Sequence, residues 1–182
     1  INNEWVNGLD GNKFDVENPF TEEIIAQVPR SSYKDVDMAV EAAKSAWKNW
    51  KMLGSLDMRD LMREVAVKSR SYDQEIAKII AAESGKPLIE CLDEIEWIAS
   101  IFEYYSEIGR DQRGRVVAPV TPRSMSMVKK EANGVVGCID PWNYPLLLMA
   151  WKVAPALAAG NTVVVKPSEI TPLSIMIWLE KR

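Results

Sequence analysis

Apolar residues recur along this chain with changing period, and each period predicts a different kind of element. Over residues 1–30 the runs are short. Glu4-Trp5-Val6 and Phe14-Asp15-Val16 flank a turn built on Gly8, Asp10, Gly11 and Asn12. After the Asn18-Pro19 turn, Ile24, Ile25 and Val28 supply a third short strand. Over residues 31–110 the period lengthens to that of a helix. Ser32 followed by Asp35 has the spacing of an N-cap with an acidic third residue, and Val36, Ala39, Val40, Ala43, Trp47 and Trp50 follow at helical spacing. A second helical region starts near Ser55 and runs towards Glu83, with Leu61, Val65, Ile76, Ile79 and Ile80 expected inside. Gly85 stops it and Pro87 confirms the break. A third helix carries the stripe Leu88, Leu92, Ile95, Ile98, Phe102 and Tyr105. The tryptophans and tyrosines of these helices read as core rather than as ligand contacts.

Residues 111–133 change character again. Ser124, Met125, Ser126, Met127 and Val128 alternate within Arg123–Glu131, which predicts a strand with one buried face, and Asn133-Gly134 is a turn. Over residues 134–182, Val135–Ile139 is an apolar run of the kind buried on both faces. Pro145 to Ala159 predicts a helix closed by Gly160-Asn161, and Thr162–Val165 is a second β-branched run. Thr171 and Pro172 then stand as N-cap and first residue of another helix. The order β-α-β-α is the start of a parallel sheet with helices on its faces, so the class is α/β.

Composition narrows what such a chain can do. Its 182 residues fit one domain or a large domain with an appendage. A formal net charge of -4 and a pI near 5.1 argue against a nucleic-acid binder, and Lys129-Lys130 is too short to be a basic patch. There is no histidine, which excludes a Ser-His or Cys-His catalytic pair and a His-ligated zinc site. The two cysteines, Cys91 and Cys138, have no metal-ligand or disulfide spacing, which suits a reducing compartment: the cytoplasm, with an organellar matrix still open. The longest apolar stretch, Tyr144 to Gly160, contains Lys152, Pro145 and Pro155 and falls short of the roughly 20 apolar residues that span a bilayer, so no membrane partner is expected. The chain begins at Ile1 without a leader, which points to a short N-terminal piece removed or not included.

In an open α/β sheet, ligands bind just past the carboxyl ends of the strands. Two segments fall there, Asp140-Pro141-Trp142-Asn143 and Lys166-Pro167-Ser168-Glu169. They bring an amide, an ammonium, a carboxylate and an indole to one rim. The alternative is that Lys166 and Glu169 are ordinary loop residues. Gly134 and Gly137 precede a strand instead of opening a helix, and neither G-x-G-x-x-G nor a Walker loop occurs. Pattern alone therefore reaches a small α/β domain with a polar rim and no named reaction.

Three long runs are more specific: Gly134-Val-Val-Gly-Cys-Ile-Asp-Pro-Trp-Asn-Tyr-Pro145, Ala150-Trp-Lys-Val-Ala-Pro-Ala-Leu-Ala-Ala-Gly-Asn161, and Lys166-Pro-Ser-Glu-Ile-Thr-Pro-Leu173. With Glu83-Ser-Gly-Lys-Pro-Leu88, Glu103-Tyr-Tyr105 and the opening Ile1-Asn-Asn-Glu-Trp-Val6, they resemble the NAD(P)-dependent aldehyde dehydrogenases over essentially the whole chain.

The resemblance implies a partial Rossmann-like sheet, an incomplete cofactor domain, and an antiparallel hairpin of the oligomerisation type, hence a homo-oligomer. It implies NAD-dependent oxidation of an aldehyde to an acid through a cysteine thioester. Asn143 matches the oxyanion donor. Ile139, Asp140, Pro141 and Trp142 match the segment at the nicotinamide end. Lys166, Pro167, Ser168 and Glu169 match the ribose-binding segment, whose carboxylate favours NAD over NADP. Lys152 matches a lysine read as a charge relay or as a structural lysine. Tyr144, Leu148 and Trp151 match the aldehyde wall; Tyr144 and Trp151 read either as a cation-binding aromatic pair, similar to the betaine and amino-aldehyde branch, or as a plain apolar surface for any aldehyde. The nucleophilic cysteine, the general base and the pyrophosphate turn are expected beyond residue 182, so the catalytic domain is expected to be absent and the chain alone inactive. The rival expectation is a non-catalytic truncated paralogue acting as a structural or partner-binding module.

Overall fold

The computed structural model describes residues 1–181. Strands β1 (Lys13–Glu17) and β2 (Ile24–Pro29) form an antiparallel hairpin with Val16 and Val28 turned inward. Residues 4–6, expected as a strand, are not one: the chain there turns, with the Glu4 N–H bonded to the Ile1 carbonyl at 3.0 Å. Four helices follow, α1 (Tyr33–Trp50), α2 (Ser55–Ser71), α3 (Asp73–Ser84) and α4 (Leu88–Ile108).

The start of α1 is the capping box that its spacing predicts. The Asp35 carboxylate accepts from the Ser32 N–H at 2.7 Å and the Ser32 hydroxyl at 2.8 Å, and its other oxygen takes the Leu9 N–H at 3.0 Å. One side chain thus caps the helix and ties the N-terminal segment to it. Its carboxyl is held below the usual range, chiefly by the Ser32 N–H and then by that of Leu9.

The region expected as one helix from Ser55 to Glu83 is two, because Tyr72 leaves helical dihedrals at φ -114° and ψ 18°. Neither Gly nor Pro marks that break; only the polar run Ser69-Arg70-Ser71 precedes it. The inward face of α2 is also turned by about one residue from expectation: Met62 and Ala66 are buried while Leu61 is exposed. Gly85 ends α3 at φ 72°, as its position required.

A small exposed hairpin, β3 (Arg115–Val117) with β4 (Ser126–Val128), precedes the parallel unit. Neither of its faces is covered by the other described residues, and Met127 is 63% exposed where a buried face was expected. The parallel unit is β5 (Val135–Ile139), α5 (Pro145–Ala158), β6 (Thr162–Lys166) and α6 (Leu173–Lys181). β5 and β6 pair in register from Val135↔Thr162 to Ile139↔Lys166. Among the described residues this sheet has two strands, so β5 is not buried on both faces as expected, and only Cys138 within it is fully enclosed.

Helices supply most of the core. Met62 and Ala66 of α2, Ile76 and Ile80 of α3, Ile95, Ile98 and Phe102 of α4, Leu146, Met149 and Val153 of α5, and Ile175 and Trp178 of α6 form one cluster. Trp178 packs its ring on Phe102 at 5.7 Å and donates its N–H to Ser69 Oγ at 2.9 Å, which satisfies the indole inside that cluster. Helix α1 lies against β6, where the Thr162 hydroxyl donates to the Ala43 carbonyl at 2.9 Å and the Trp47 indole to the Gly160 carbonyl at 2.9 Å. Among the described residues no helix is long and apolar enough to cross a membrane.

Candidate functional site

Parallel pairing sends the two predicted segments out of the same sheet edge. Residues 140–144 follow the carboxyl end of β5, and residues 167–172 follow that of β6. Two bonds tie them together. The Asp140 N–H donates to the Lys166 carbonyl at 3.0 Å, extending the ladder by one rung, and the Thr171 hydroxyl donates to the Trp142 carbonyl at 3.3 Å. Thr171 was expected to cap α6; its hydroxyl instead joins the two loops.

Along this rim Ile139, Pro141, Trp142, Asn143, Lys166 and Glu169 are exposed. Lys166 donates to Glu169 at 3.1 Å, and the Glu169 carboxyl is held below its ordinary range by its own backbone N–H and by that ammonium. An ionised, exposed carboxylate beside an ammonium has the donor and acceptor chemistry that a ribose diol needs. Ser168 is buried, and its hydroxyl accepts the Ile170 N–H at 3.3 Å, so it shapes the loop; Pro167 is half-buried beside it.

Asp140 is buried also. Its Oδ1 accepts from Lys152 Nζ at 2.8 Å, Lys152 donates further to the Leu148 carbonyl at 3.1 Å, and Asp140 Oδ2 has no hydrogen-bond partner among the described residues. Lys152 therefore sits as the counter-ion of a buried carboxylate. Tyr144 and Leu148 are half-buried and Trp151 is exposed, all on or beside the outer face of α5. Trp97 of α4, counted as core from its sequence, stands next to them, 45% exposed, with its ring 6.1 Å from that of Tyr144.

Two glutamates that sequence reasoning passed over organise the site from beneath. Glu94 Oε1 accepts the Leu146 and Leu147 N–H groups at 2.9 and 3.1 Å, capping α5. Glu83 accepts those of Leu173 and Ser174 at 2.7 and 3.0 Å, capping α6. Both are fully buried. A free helix N-terminus is an anion site; here both helices that follow the sheet strands are already capped by a protein carboxyl group. The signal was present in the pattern: Glu94 stands at the third position after Cys91, beside Ile95, and Glu83 at the third after Ile80, each inside a buried stripe. Burial pushes the Glu83 carboxyl up to about 7, against the opposing pull of the Ser174 and Leu173 groups and with a smaller contribution from Glu94.

Cys91 and Cys138 are both buried and unpaired by disulfide, and desolvation is the main cause that raises each thiol. Neither is presented as a nucleophile. Among the described residues no group of His, Cys, Asp and Glu is arranged to hold a metal.

Residues 5–181 match the aldehyde dehydrogenase family. The chain is 38% identical over 176 residues to the betaine aldehyde dehydrogenase of Bacillus subtilis, covering 96% of this chain and 36% of that protein. It is 39% identical over 184 residues to the peroxisomal aminoaldehyde dehydrogenase 1 of Malus domestica, covering 97% and 37%. Among solved structures, an NADP-dependent enzyme of E. coli superposes with a TM-score of 0.95 at 32% identity, over 99% of this chain and 37% of that one. A Staphylococcus aureus betaine aldehyde dehydrogenase variant in complex with NAD+ superposes with a TM-score of 0.94 at 34% identity, over the same shares. The chain thus spans a little more than a third of the length of these relatives. The rim at the carboxyl ends of β5 and β6 and the match along nearly every residue agree: the chain belongs to the aldehyde dehydrogenase family.

Proposed function

We propose that this chain is the amino-terminal part of an NAD-dependent aldehyde dehydrogenase and carries its oxyanion donor and its ribose-binding pair. The observation that supports this most is the shared edge: Asn143 and the Lys166–Glu169 pair leave adjacent parallel strands on segments bonded to each other. Attack on an aldehyde carbonyl places negative charge on oxygen, and the exposed Asn143 amide would donate to it more strongly in the transition state than in the ground state. Glu169 would accept the ribose hydroxyls, with Lys166 as the accompanying donor, and its carboxylate would repel a 2′-phosphate, favouring NAD over NADP. The bound cofactor would supply the hydride acceptor.

Trp142 and Ile139 would cover its nicotinamide end, while Asp140 holds Lys152 beneath. Tyr144, Leu148, Trp151 and Trp97 would form the aldehyde wall. With both thiols buried, the nucleophile must come from another part of the polypeptide, so this chain alone is inactive. Two buried thiols suit a reducing compartment, first the cytoplasm. A second reading, a non-catalytic module that pairs with full-length relatives as a homo-oligomer does, is favoured by the uncovered β3–β4 hairpin.

The test replaces the matching third of the Bacillus subtilis relative with residues 1–181. The chimaera should oxidise an aldehyde with NAD while the free chain produces no NADH. Turnover by the free chain that survives loss of both cysteines would refute the assignment. A chimaera unaffected by Asn143→Ala would remove the oxyanion role.

A further inference from the structure

Asn143 lies on an exposed peptide, and what fixes it must come from its neighbours. Upstream, the Trp142 carbonyl is held by the Thr171 hydroxyl at 3.3 Å. Downstream, Tyr144 is the N-cap of α5 but offers no side-chain cap, and Pro145 has no N–H. The first amides of the helix, Leu146 and Leu147, are both received by one oxygen of Glu94. The other oxygen of Glu94 pairs with the Lys86 ammonium, whose side chain is only 14% exposed. The same ammonium sits 4.1 Å from the centroid of the Tyr144 ring, and Trp97 packs against that ring. Lys86 comes from the loop between α3 and α4, so that loop and α4 both meet the first turn of α5.

A buried ion pair is a weak source of net stability, because desolvation offsets most of the attraction. What it supplies is direction: a carboxylate with one oxygen committed to an ammonium can present the other to only one place. Two amides on a single oxygen fix both the height and the rotation of a helix start, and cation–π attraction fixes the adjacent ring. We propose that Lys86 and Glu94 are positioning residues that together set the first turn of α5, and through it the Asn143 amide and the Tyr144 ring. The functional consequence rests on the oxyanion reading of Asn143; the structural coupling does not.

The experiment is residue-resolved amide exchange on the folded chain, comparing Lys86→Met, Lys86→Arg and Glu94→Gln. Lys86→Met should lower protection at Leu146 and Leu147 about tenfold while protection at Ile98, deep in α4, changes by less than about threefold. Lys86→Arg should restore most of it, since the charge returns. Equal loss at all three amides would show a merely structural residue and overturn the proposal, as would no loss at Leu146 and Leu147. If Lys86→Met fails to fold, Glu94→Gln, which keeps one acceptor oxygen but loses the charge, is read by the same comparison. In the chimaera, Lys86→Met should lower kcat with KM little changed. If Asn143→Ala lowers kcat and Lys86→Met does not, the positioning role fails. If neither lowers it, the oxyanion reading fails while the exchange result stands by itself.

Discussion

Replacing Glu83 with alanine removes the acceptor of two backbone amides in the first turn of α6. Glu83 is fully buried, and the Leu173 and Ser174 N–H groups point at its two oxygens at 2.7 and 3.0 Å. Leaving a buried donor unsatisfied costs about 1–3 kcal/mol. With the Ser174 donor buried and the Leu173 donor partly so, the expected loss is roughly 3 kcal/mol at pH 4.5, where the carboxyl is protonated in the folded chain. For a chain of this size that lowers the melting temperature by about 6–12 °C.

The charge state adds a second signature. In the folded chain the carboxyl is raised from its ordinary 4.5 to about 7 by desolvation, so the folded form holds its proton at a pH where the unfolded form has released it. Stability from this group is therefore fully present below about pH 4.5 and is lost as pH rises towards 7, by about 3 kcal/mol in all. Glu83→Gln keeps a carbonyl acceptor and cannot ionise, so this contribution to the pH slope should vanish. Urea unfolding at closely spaced pH values measures both effects. At pH 4.5, a Glu83→Ala variant within about 0.5 kcal/mol of wild type would refute the argument, as would a Glu83→Gln variant with an unchanged slope between pH 4.5 and 7.

Other outcomes follow from the same geometry. In the chimaera, Asn143→Ala should lower kcat by about a hundredfold to a thousandfold, the usual loss for one oxyanion donor, read by initial rates. Glu169→Gln should move the NADP-to-NAD ratio of kcat/KM upward by about tenfold, because the carboxylate no longer repels a 2′-phosphate; an unchanged ratio would count against its ribose assignment. Thiol reagents at neutral pH should leave Cys91 and Cys138 unlabelled in the folded chain and modify both in denaturant, as mass spectrometry would show. Gly85→Ala should cost about 1–2 kcal/mol in urea, since Gly85 has φ 72° and a Cβ there would meet Pro19 Cγ at 3.0 Å.

Local signals carried much of this protein. The capping box at Ser32 and Asp35, the stop at Gly85, the β-α-β-α order from Val135 onward and the rim segments at Asp140 and Lys166 were legible because each depends on residues a few positions apart. The run from Gly134 to Pro145 was specific enough to indicate the family. What pattern could not supply was the partner of each polar group. Asp140 and Ser168 looked like rim residues, yet one binds Lys152 and the other its own loop; Thr171 looked like a cap, yet Glu83 does that work from ninety residues away. Likewise the faces of β5 and of the β3–β4 hairpin read as buried, since alternation reports that a face is apolar without reporting what covers it. Periodicity encodes the short-range choice between helix and strand. Satisfying a buried charge depends on which distant backbone the fold brings within 3 Å, and only the packed chain decides that.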